Sequence, residues 1–231
     1  MKSLALLGLV SLLSVAIACS SSGAGSVARP ATIDAFVKRY VAAHNAKDVA
    51  ATRALWHPKS AACITPESAA FYDRDVRVSI RHAIPLDYTF TAKPVGPKDN
   101  LPFQGYGVFP IRPTQQVQIS YNYGVESSGI IMFWLVQEGT GWAEDSPCVT
   151  PETLQQFKAS LPEIMANEEK TKSQVDSLQD PLRSELVALL KQGKPSAAAD
   201  RYAAATGHDR NMAMFVIEEM QYRLESVSAA K

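Results

Sequence analysis

The feature that most constrains this chain is its apolar N-terminal segment, because that segment decides in which compartment the remainder folds. Lys2 is followed by an uncharged, Leu-rich run from Ser3 to Ala18. A short basic start, an apolar core and small residues at the end are the pattern of a secretory signal peptide. A membrane-spanning helix needs about 20 apolar residues, more than this run provides. We therefore expect residues 1–18 to be a signal peptide and the rest of the chain to be exported.

The residues that follow indicate lipid attachment at Cys19. Ala16-Ile17-Ala18 fits an ordinary signal peptidase site, which leaves plain secretion as an alternative. The same three residues followed by Cys19 resemble the lipobox of bacterial lipoproteins, although Ala16 stands where Leu is commoner. Residues 19–31 begin with a run of Ser, Gly and Ala, a composition typical of a flexible tether.

A lipid on Cys19 would place the protein in the cell envelope. Each buried methylene of an acyl chain such as palmitate contributes about 0.8 kcal/mol, so several chains together give durable anchoring. Ser20 directly follows Cys19 and provides no acidic signal for retention in the inner membrane. By resemblance to proteobacterial lipoproteins, this predicts lipid anchoring to the outer membrane, with the protein facing the periplasm.

Two further cysteines lie in nearly identical segments. Cys63 begins the sequence Cys-Ile-Thr-Pro-Glu, and Cys148 begins Cys-Val-Thr-Pro-Glu. In each segment Thr can be a helix N-cap, Pro the first helical residue and Glu a first-turn acid. An even pair in an oxidising compartment is expected to form a disulfide, which would contribute about 4–5 kcal/mol across a loop this long in the chain-entropy model. Two buried free thiols are the alternative, and no CxxC or Cys/His spacing indicates a metal site.

Apolar spacing predicts helices in the first part of the mature chain. Thr32 is the expected N-cap of a first helix that runs through His44. Asp48 is the expected cap of a second helix through Trp56, which His57-Pro58 would end. Residues 65–84 fit both a helix and a strand, and the cap at Thr65 favours the helix.

Alternating apolar residues predict strands after this point. Alternation is clear over residues 88–92 and 117–123, and residues 108–112 read as a short edge strand flanked by proline. Residues 130–136 are apolar on both faces, as expected of a central strand. A glycine-rich turn then leads to Trp142.

Helices followed by an antiparallel meander predict an α+β fold for residues 32–150. The hinge His-Asn-Ala-Lys-Asp at 44–48, the helix end Leu-Trp-His-Pro at 55–58 and the late strands closed by Trp142 resemble the nuclear transport factor 2-like superfamily. That superfamily includes SnoaL-like and ketosteroid isomerase-like proteins. The resemblance implies helices packed on a curved antiparallel sheet, a cone-like apolar pocket, and homodimers formed through the sheet.

The rest of the chain is predicted to be helical. Residues 151–180 form a charged helical connector interrupted at Pro162, and residues 181–228 form an all-α C-terminal region. The order "leucines, Gly-Lys, Ala-rich helix, Thr-Gly, helix" within residues 186–225 resembles the helical hairpin of the ribosomal stalk protein's C-terminal domain. This resemblance implies a helical interaction motif without a ribosomal role, and a stabilising cap on the sheet is the alternative.

The resemblance implies a pocket whose chemistry can be judged from the residues. The candidate pocket residues are Tyr40, His44, Tyr121, Tyr123 and Trp134. Enzymes of this superfamily place a carboxylate or His base, and a Tyr or acid donor, in the pocket. The nearby acids are expected at strand ends or turns, where water solvates them: Asp87, Glu126, Glu138, Glu144 and Asp145. His44 could act as the base, but a lone His on an amphipathic helix is more often structural.

Charge and motifs restrict the function further. Basic and acidic residues balance at 23 each, so nothing favours a nucleic acid partner. No metal-ligand pairing, nucleotide-binding motif or hydrolase motif is present, so no cofactor, metal or catalytic residue is predicted.

The sequence therefore predicts a non-catalytic envelope lipoprotein with a structural or protein-interaction role, whose partner is another envelope protein or a second copy. A carrier of a small apolar ligand, or a SnoaL-like isomerase or dehydratase acting on a small hydrophobic substrate, are the alternatives. An open pocket without a buried acid or base would favour the carrier. An open pocket that holds a perturbed His44 or carboxylate would favour the enzyme.

Overall fold

The computed structural model describes residues 28–99, 101, 106–123 and 127–229 of the chain. The predicted signal peptide, Cys19 and residues 20–27 of the predicted tether lie outside the described residues, as does Glu126. In the described ranges, no helix combines the length and the apolar character needed to cross a membrane.

Helices come first in the described chain: α1 (Ile33–Asn45), α2 (Val49–Arg53), α3 (Pro58–Ala61) and α4 (Ala69–Ser79). The two predicted caps are confirmed, since Thr32 accepts a hydrogen bond from the Ala35 N–H at 3.1 Å and Asp48 accepts one from the Ala51 N–H at 2.9 Å. The second helix ends earlier than expected. His57 caps α3 and Pro58 is its first residue, because proline at the first helical position lacks only an N–H that would have no partner there.

The ambiguous segment 65–84 contains a helix, but that helix does not begin at Thr65. Residues 66–68 form a turn in which the Thr65 N–H donates to Ser68 Oγ at 2.9 Å. The Ser68 hydroxyl also donates to the Cys63 carbonyl at 3.0 Å. These side-chain-to-backbone bonds compete with helical ones, so α4 starts after Ser68 instead.

Strands follow in the described residues: β1 (Thr89–Pro94), β2 (Gly107–Val108), β3 (Gln115–Tyr123), β4 (Ser127–Glu138), β5 (Gly141–Glu144) and β6 (Cys148–Val149). Four of them form an antiparallel sheet in the order β1-β3-β4-β5, while β2 pairs with β6. The predicted edge strand at 108–112 is thus shorter than expected. The α+β fold class is confirmed.

The core of this domain lies between α1 and the inner face of the sheet. Buried side chains of α1, β3 and β4 meet there, among them Phe36, Val37, Val117, Phe133 and Leu135. The opposite face is covered unevenly, which corrects the prediction that residues 130–136 are buried on both faces.

The uneven cover divides the outer face of β4 into two parts. Ile130 is 60% exposed and Met132 is 51% exposed. Trp134 and Val136 on the same face are buried, and the Phe109 ring lies 5.5 Å from the Trp134 ring. The segment around β2 therefore shields only the second half of this strand.

The C-terminal part contains α5 (Pro151–Asp176), α6 (Leu182–Lys191), α7 (Pro195–Thr206) and α8 (Arg210–Ala229). Thr150 caps α5 as predicted, accepting from the Thr153 N–H at 3.2 Å. The predicted interruption at Pro162 is wrong, because α5 continues through that residue. Packing at both ends stabilises α5: the Phe157 ring lies 5.2 Å from the Phe71 ring, and Val175 belongs to the core of α6–α8.

The C-terminal helices also contact the N-terminal domain directly. Arg81, after α4, donates to Glu219 of α8 at 2.6 Å, and the Ala83 N–H donates to Glu225 at 2.9 Å. The Glu219 side chain is almost fully buried, so this ion pair is shielded from water on one side. The helical region is thus packed against the α+β domain.

Candidate functional site

A cavity of about 310 Å³ lies beside the end of β5, between α1, α4 and β4. We call it the β5 cavity. Aromatic side chains form much of its wall: Tyr40, Trp56, Phe71, Tyr72, Tyr106, Phe133 and Trp134. Its carboxyl groups, called here the cavity carboxyl groups, are Asp75, Glu144 and Asp145. The described residues that line it include no Lys, Arg or His.

The cavity exists because β5 is shorter than β4. β5 pairs with β4 over Leu135–Glu138, so residues 131–134 of β4 have no strand of the described chain beside them on that side. The chain is fixed where β5 ends, since the Glu144 N–H donates to the Leu55 carbonyl at 2.9 Å and the Asp145 N–H donates to the Trp134 carbonyl at 2.8 Å. The gap beyond β5 is closed by α4 instead of another strand.

The far wall is held in place from α4 and from β6. The Tyr72 hydroxyl donates to the Pro147 carbonyl at 3.3 Å and accepts from the Val149 N–H at 2.8 Å. A disulfide joins Cys63 to Cys148, with their Cα atoms 5.4 Å apart. Side-chain bonds and a covalent bond therefore connect the lining loop 146–147 to the helices.

Glu144 is the most perturbed of the cavity carboxyl groups. Its Oε2 atom is shielded from solvent and lacks a hydrogen-bond partner among the described residues. Burial raises the pKa of Glu144 to about 8, and the negative charges of Asp75 and Asp145 add to this effect. At neutral pH this carboxyl group holds its proton and can donate a hydrogen bond.

The other two carboxyl groups differ in exposure. Asp145 is only 1% exposed, and the Ser60 hydroxyl donates to its Oδ1 at 2.8 Å. Burial raises the pKa of Asp145 to about 6. Asp75 lies at the more open side of the cavity, where the Tyr106 hydroxyl donates to it at 3.3 Å. All three groups therefore belong to one partly open site.

Tyr40 brings a phenol from α1 to the same cavity. Its ring stacks on Phe133 with 4.6 Å between centroids, and the residue is only 5% exposed. Burial raises the pKa of the Tyr40 hydroxyl, and the charge of Glu144 raises it further. This hydroxyl stays protonated at any physiological pH.

The structure brings together only part of the predicted pocket. Tyr40 and Trp134 line the cavity, whereas His44 and Tyr121 do not. Tyr121 packs against the α1–sheet core, and Gly129 lies opposite it on β4. Tyr123 lies in β3, and its side chain is outside the described residues.

His44 lies outside the cavity lining and makes a hydrogen bond between two segments of the fold. It is 1% exposed, and its Nε2–H donates to the His82 carbonyl at 2.7 Å. Burial lowers the pKa of His44 to about 4, so the ring is neutral at physiological pH. This hydrogen bond connects the loop after α4 to α1.

The prediction that the late acids are solvated is wrong for Glu144 and Asp145. Asp87 is exposed as expected, and Glu138 is half-buried beside Arg29. Glu144 and Asp145 are covered because α4 and the segment around α3 lie over the end of β5. A sequence signal existed, since alternation places Glu144 on the same face as Trp142, which packs on the core.

The described residues contain no group of three or more His, Cys, Asp or Glu side chains placed to hold a metal ion. The chain matches no protein-family model, no curated protein and no solved structure. The resemblance to the nuclear transport factor 2-like superfamily stays a prediction. The chemistry of the β5 cavity is the basis of the functional argument.

Proposed function

We propose that this protein is an exported, lipid-anchored carrier that binds a small molecule in the β5 cavity. The observation that carries the proposal is an open, aromatic-walled cavity of about 310 Å³ in which Glu144 Oε2 has no hydrogen-bond partner among the described residues. A buried polar atom left unpaired costs about 1–3 kcal/mol. A bound molecule can supply the missing partner and fill the apolar space.

The shape and chemistry of the cavity fit this role. Small-molecule sites are concave, mostly apolar, and contain a few polar groups that orient the ligand, within roughly 300–1,000 Å³. The β5 cavity has aromatic walls, a protonated carboxyl group at Glu144 and a phenol at Tyr40. The exposed Asp75 at its edge indicates where a ligand enters. An open cavity favours ligand binding over a purely structural role. The perturbed Glu144 carboxyl group is also the feature expected of an enzyme, and it is the basis of the second candidate function below.

The proposed location rests on the N-terminal sequence. Residues 1–18 are proposed to be removed on export, and Cys19 to hold the lipid on the periplasmic side of the outer membrane. A disulfide such as Cys63–Cys148 is compatible with an oxidising compartment. Replacing Cys19→Ala should abolish metabolic labelling with a radioactive fatty acid, whereas persistent labelling would remove the anchor from the proposal.

The proposed ancestry and partner follow from the arrangement of the domains. Helices that precede an antiparallel sheet, with a cavity between them, support the nuclear transport factor 2-like relationship. The exposed Ile130 and Met132 on the sheet, together with the C-terminal helices, are the surfaces proposed to contact a second copy or another envelope protein.

The carrier proposal can be tested by what copurifies with the protein. Full-length protein is extracted in detergent and denatured, and the released small molecules are identified by mass spectrometry. Ile131→Trp places a larger side chain in the cavity, and Phe215→Trp on the exposed face of α8 is the matched control. We expect a molecule that the wild type and the control retain and Ile131→Trp loses. Identical extracts from all three, and no ligand in a thermal-shift screen, would reject the carrier.

A second candidate function is general acid–base catalysis in the same cavity. The observation that favours it is a Glu144 pKa of about 8, close to a working pH, beside the protonated Tyr40 hydroxyl. If the bound molecule is a substrate, mass spectrometry should show its conversion by the wild type. Glu144→Gln should then slow conversion at least 100-fold, the lower end of the usual contribution of such a group. A molecule recovered unchanged after incubation supports the carrier.

A further inference from the structure

We infer that the molecule bound in the β5 cavity carries a positive charge on an organic ammonium group, held between aromatic rings and carboxylates. This inference rests on the proposed function, because it names the chemical class of the same ligand. It is carried by the charge of the lining, the aromatic walls and the shielded Glu144 oxygen.

The carboxyl groups of the lining have no basic residue beside them in the described lining. Asp75, Glu144 and Asp145 all line the cavity, and no described lining residue is basic. None of these three groups forms an ion pair with the described residues. Taken alone, three acids would define no site, but here they share one enclosed space with Glu144 Oε2, which has no described hydrogen-bond partner.

The nearby arginines pair with acids outside the cavity. Arg77 donates to Asp73 at 2.6 Å, and Arg53 lies 3.7 Å from the same carboxylate. Arg74 pairs with Glu168 of α5 at 2.5 Å. Arg74 and Arg77 of α4 are therefore engaged outside the cavity. Arg53 of α2 faces Asp73 without a hydrogen bond, and no ion pair among the described residues joins it to a cavity carboxyl group.

The walls favour a cation of low hydration. Aromatic faces attract cations by about 0.5–1 kcal/mol at exposed sites and about 2 kcal/mol or more where water is excluded, and quaternary ammonium groups are recognised by such aromatic cages. Trp56 and Tyr72 meet edge to face with 5.7 Å between centroids, and Phe71 lies 5.7 Å from Tyr106. These rings border the same space as the carboxyl groups.

Other ligand classes fit less well. An anion would meet the charges of Asp75 and Asp145, and that of Glu144 once it has lost its proton, and no described lining residue is basic. Electrostatic repulsion therefore opposes an anion. A neutral molecule could use the apolar walls, but it would leave the acids without a counter-charge. An ammonium ion supplies that charge. It donates a hydrogen bond to Glu144 if it has an N–H group, and otherwise its positive surface contacts that side chain. It also packs against the aromatic rings.

The test uses three probes of nearly equal size that differ in charge. Choline is the cation, 3,3-dimethylbutan-1-ol is its neutral isostere, and 3,3-dimethylbutanoate is the anion. Binding to full-length protein in detergent is measured by titration calorimetry at pH 8.5. We expect choline to bind at least 10-fold more tightly than the alcohol, and the anion not to bind.

Variants connect that preference to the cavity. Glu144→Gln should reduce the ratio of choline affinity to alcohol affinity at least 5-fold, and Glu169→Gln on the exposed side of α5 should leave it unchanged. Asp75→Asn, at the exposed side of the cavity, is the second variant in case Glu144→Gln fails to fold. If the ratio of choline affinity to alcohol affinity is the same in the wild type and in all folded variants, the inference is overturned.

The outcomes separate this inference from the carrier proposal. Binding of the alcohol to the wild type but not to Ile131→Trp, with no preference for choline, overturns the charge inference and leaves the carrier standing. If no probe binds, the copurifying molecule decides: an ammonium compound supports the inference, and a neutral or anionic one overturns it. If no probe binds and nothing copurifies, both fail.

Discussion

Tyr72 and Val149 are joined by a hydrogen bond of 2.8 Å between the phenol oxygen and the backbone N–H. Tyr72 lies on α4 and Val149 on β6, so this bond connects the helical wall of the β5 cavity to the chain segment that follows β5. Because the same hydroxyl also donates to the Pro147 carbonyl, one side chain fixes two points of the wall.

Removing this hydroxyl should loosen the wall. Tyr72→Phe leaves the Val149 N–H and the Pro147 carbonyl without their partner, which is expected to lower the free energy of unfolding by about 1–3 kcal/mol. Urea denaturation followed by circular dichroism measures the change. Tyr88→Phe, which removes a hydroxyl from a half-buried ring outside this contact, is the control. Equal destabilisation by both changes would contradict a specific role for Tyr72.

The disulfide should contribute measurably to stability. Cys63 and Cys148 are separated by 85 residues in sequence. In the chain-entropy model, a bridge across so long a loop restricts the unfolded chain by roughly 4–5 kcal/mol. The double variant Cys63→Ser/Cys148→Ser is therefore expected to unfold at a lower urea concentration, and a reducing agent should affect only the wild type. A urea midpoint that is the same for the wild type and the double variant, with and without reducing agent, would refute a stabilising role of the disulfide.

Stability should fall as pH rises from 6.5 to 8. In this window the folded protein keeps a proton on Glu144, whose pKa is raised to about 8 from an ordinary 4.5, while the unfolded chain has lost it. Folding is then less favourable at higher pH, by at most about 1.4 kcal/mol per pH unit for one group. Asp145, with a pKa of about 6, is already largely ionised in the folded state.

The opposite trend of His44 explains the lower limit of that window. Its pKa is lowered to about 4 from 6.5, so protonation of the unfolded chain reduces stability as pH falls below 6.5. Urea denaturation at pH 6.5, 7.25 and 8 measures the slope for wild type and for Glu144→Gln, which should be flatter. A wild-type slope that Glu144→Gln leaves unaltered would assign the effect to another group.

His44 should prove necessary for stability but not for binding. His44→Phe keeps an aromatic ring and removes the Nε2–H that donates to the His82 carbonyl. A loss of about 1–3 kcal/mol in the free energy of unfolding is expected from the unpaired carbonyl. Affinity for a cavity ligand, measured by calorimetry, should change less than 3-fold. A large loss of affinity without loss of stability would place His44 in the site after all.

Local sequence signals predicted much of the secondary structure. Thr32, Asp48 and Thr150 cap their helices as expected, because a cap depends only on a side chain and the N–H groups a few residues later. Alternation predicted β1 and β3 for a similar reason, since strand periodicity is a property of the local backbone. The two Cys-x-Thr-Pro-Glu segments show where such reasoning ends. Thr150 in the second segment caps α5. The first segment is followed by a turn, because the Ser68 hydroxyl bonds to its backbone.

Burial and the site could be predicted only in part. Tyr40 and Trp134 were candidate pocket residues from their positions on helix and strand, and both line the cavity. Glu144 and Asp145 were expected to be solvated, because acids at strand ends usually reach water. Whether they do depends on what covers the strand end, and here that cover comes from α3 and α4, far away in sequence.

The amino-acid sequence by itself determined the order of helices and strands, the main helix caps, and the pairing partners for a disulfide. Tertiary structure alone decided that β5 stops short of the full length of β4, that α4 closes the resulting gap, and that Asp75 shares one cavity with the adjacent acids Glu144 and Asp145. The reason is physical: hydrogen-bonding and periodic preferences act over a few residues, whereas exclusion of water depends on segments that meet only in the folded chain.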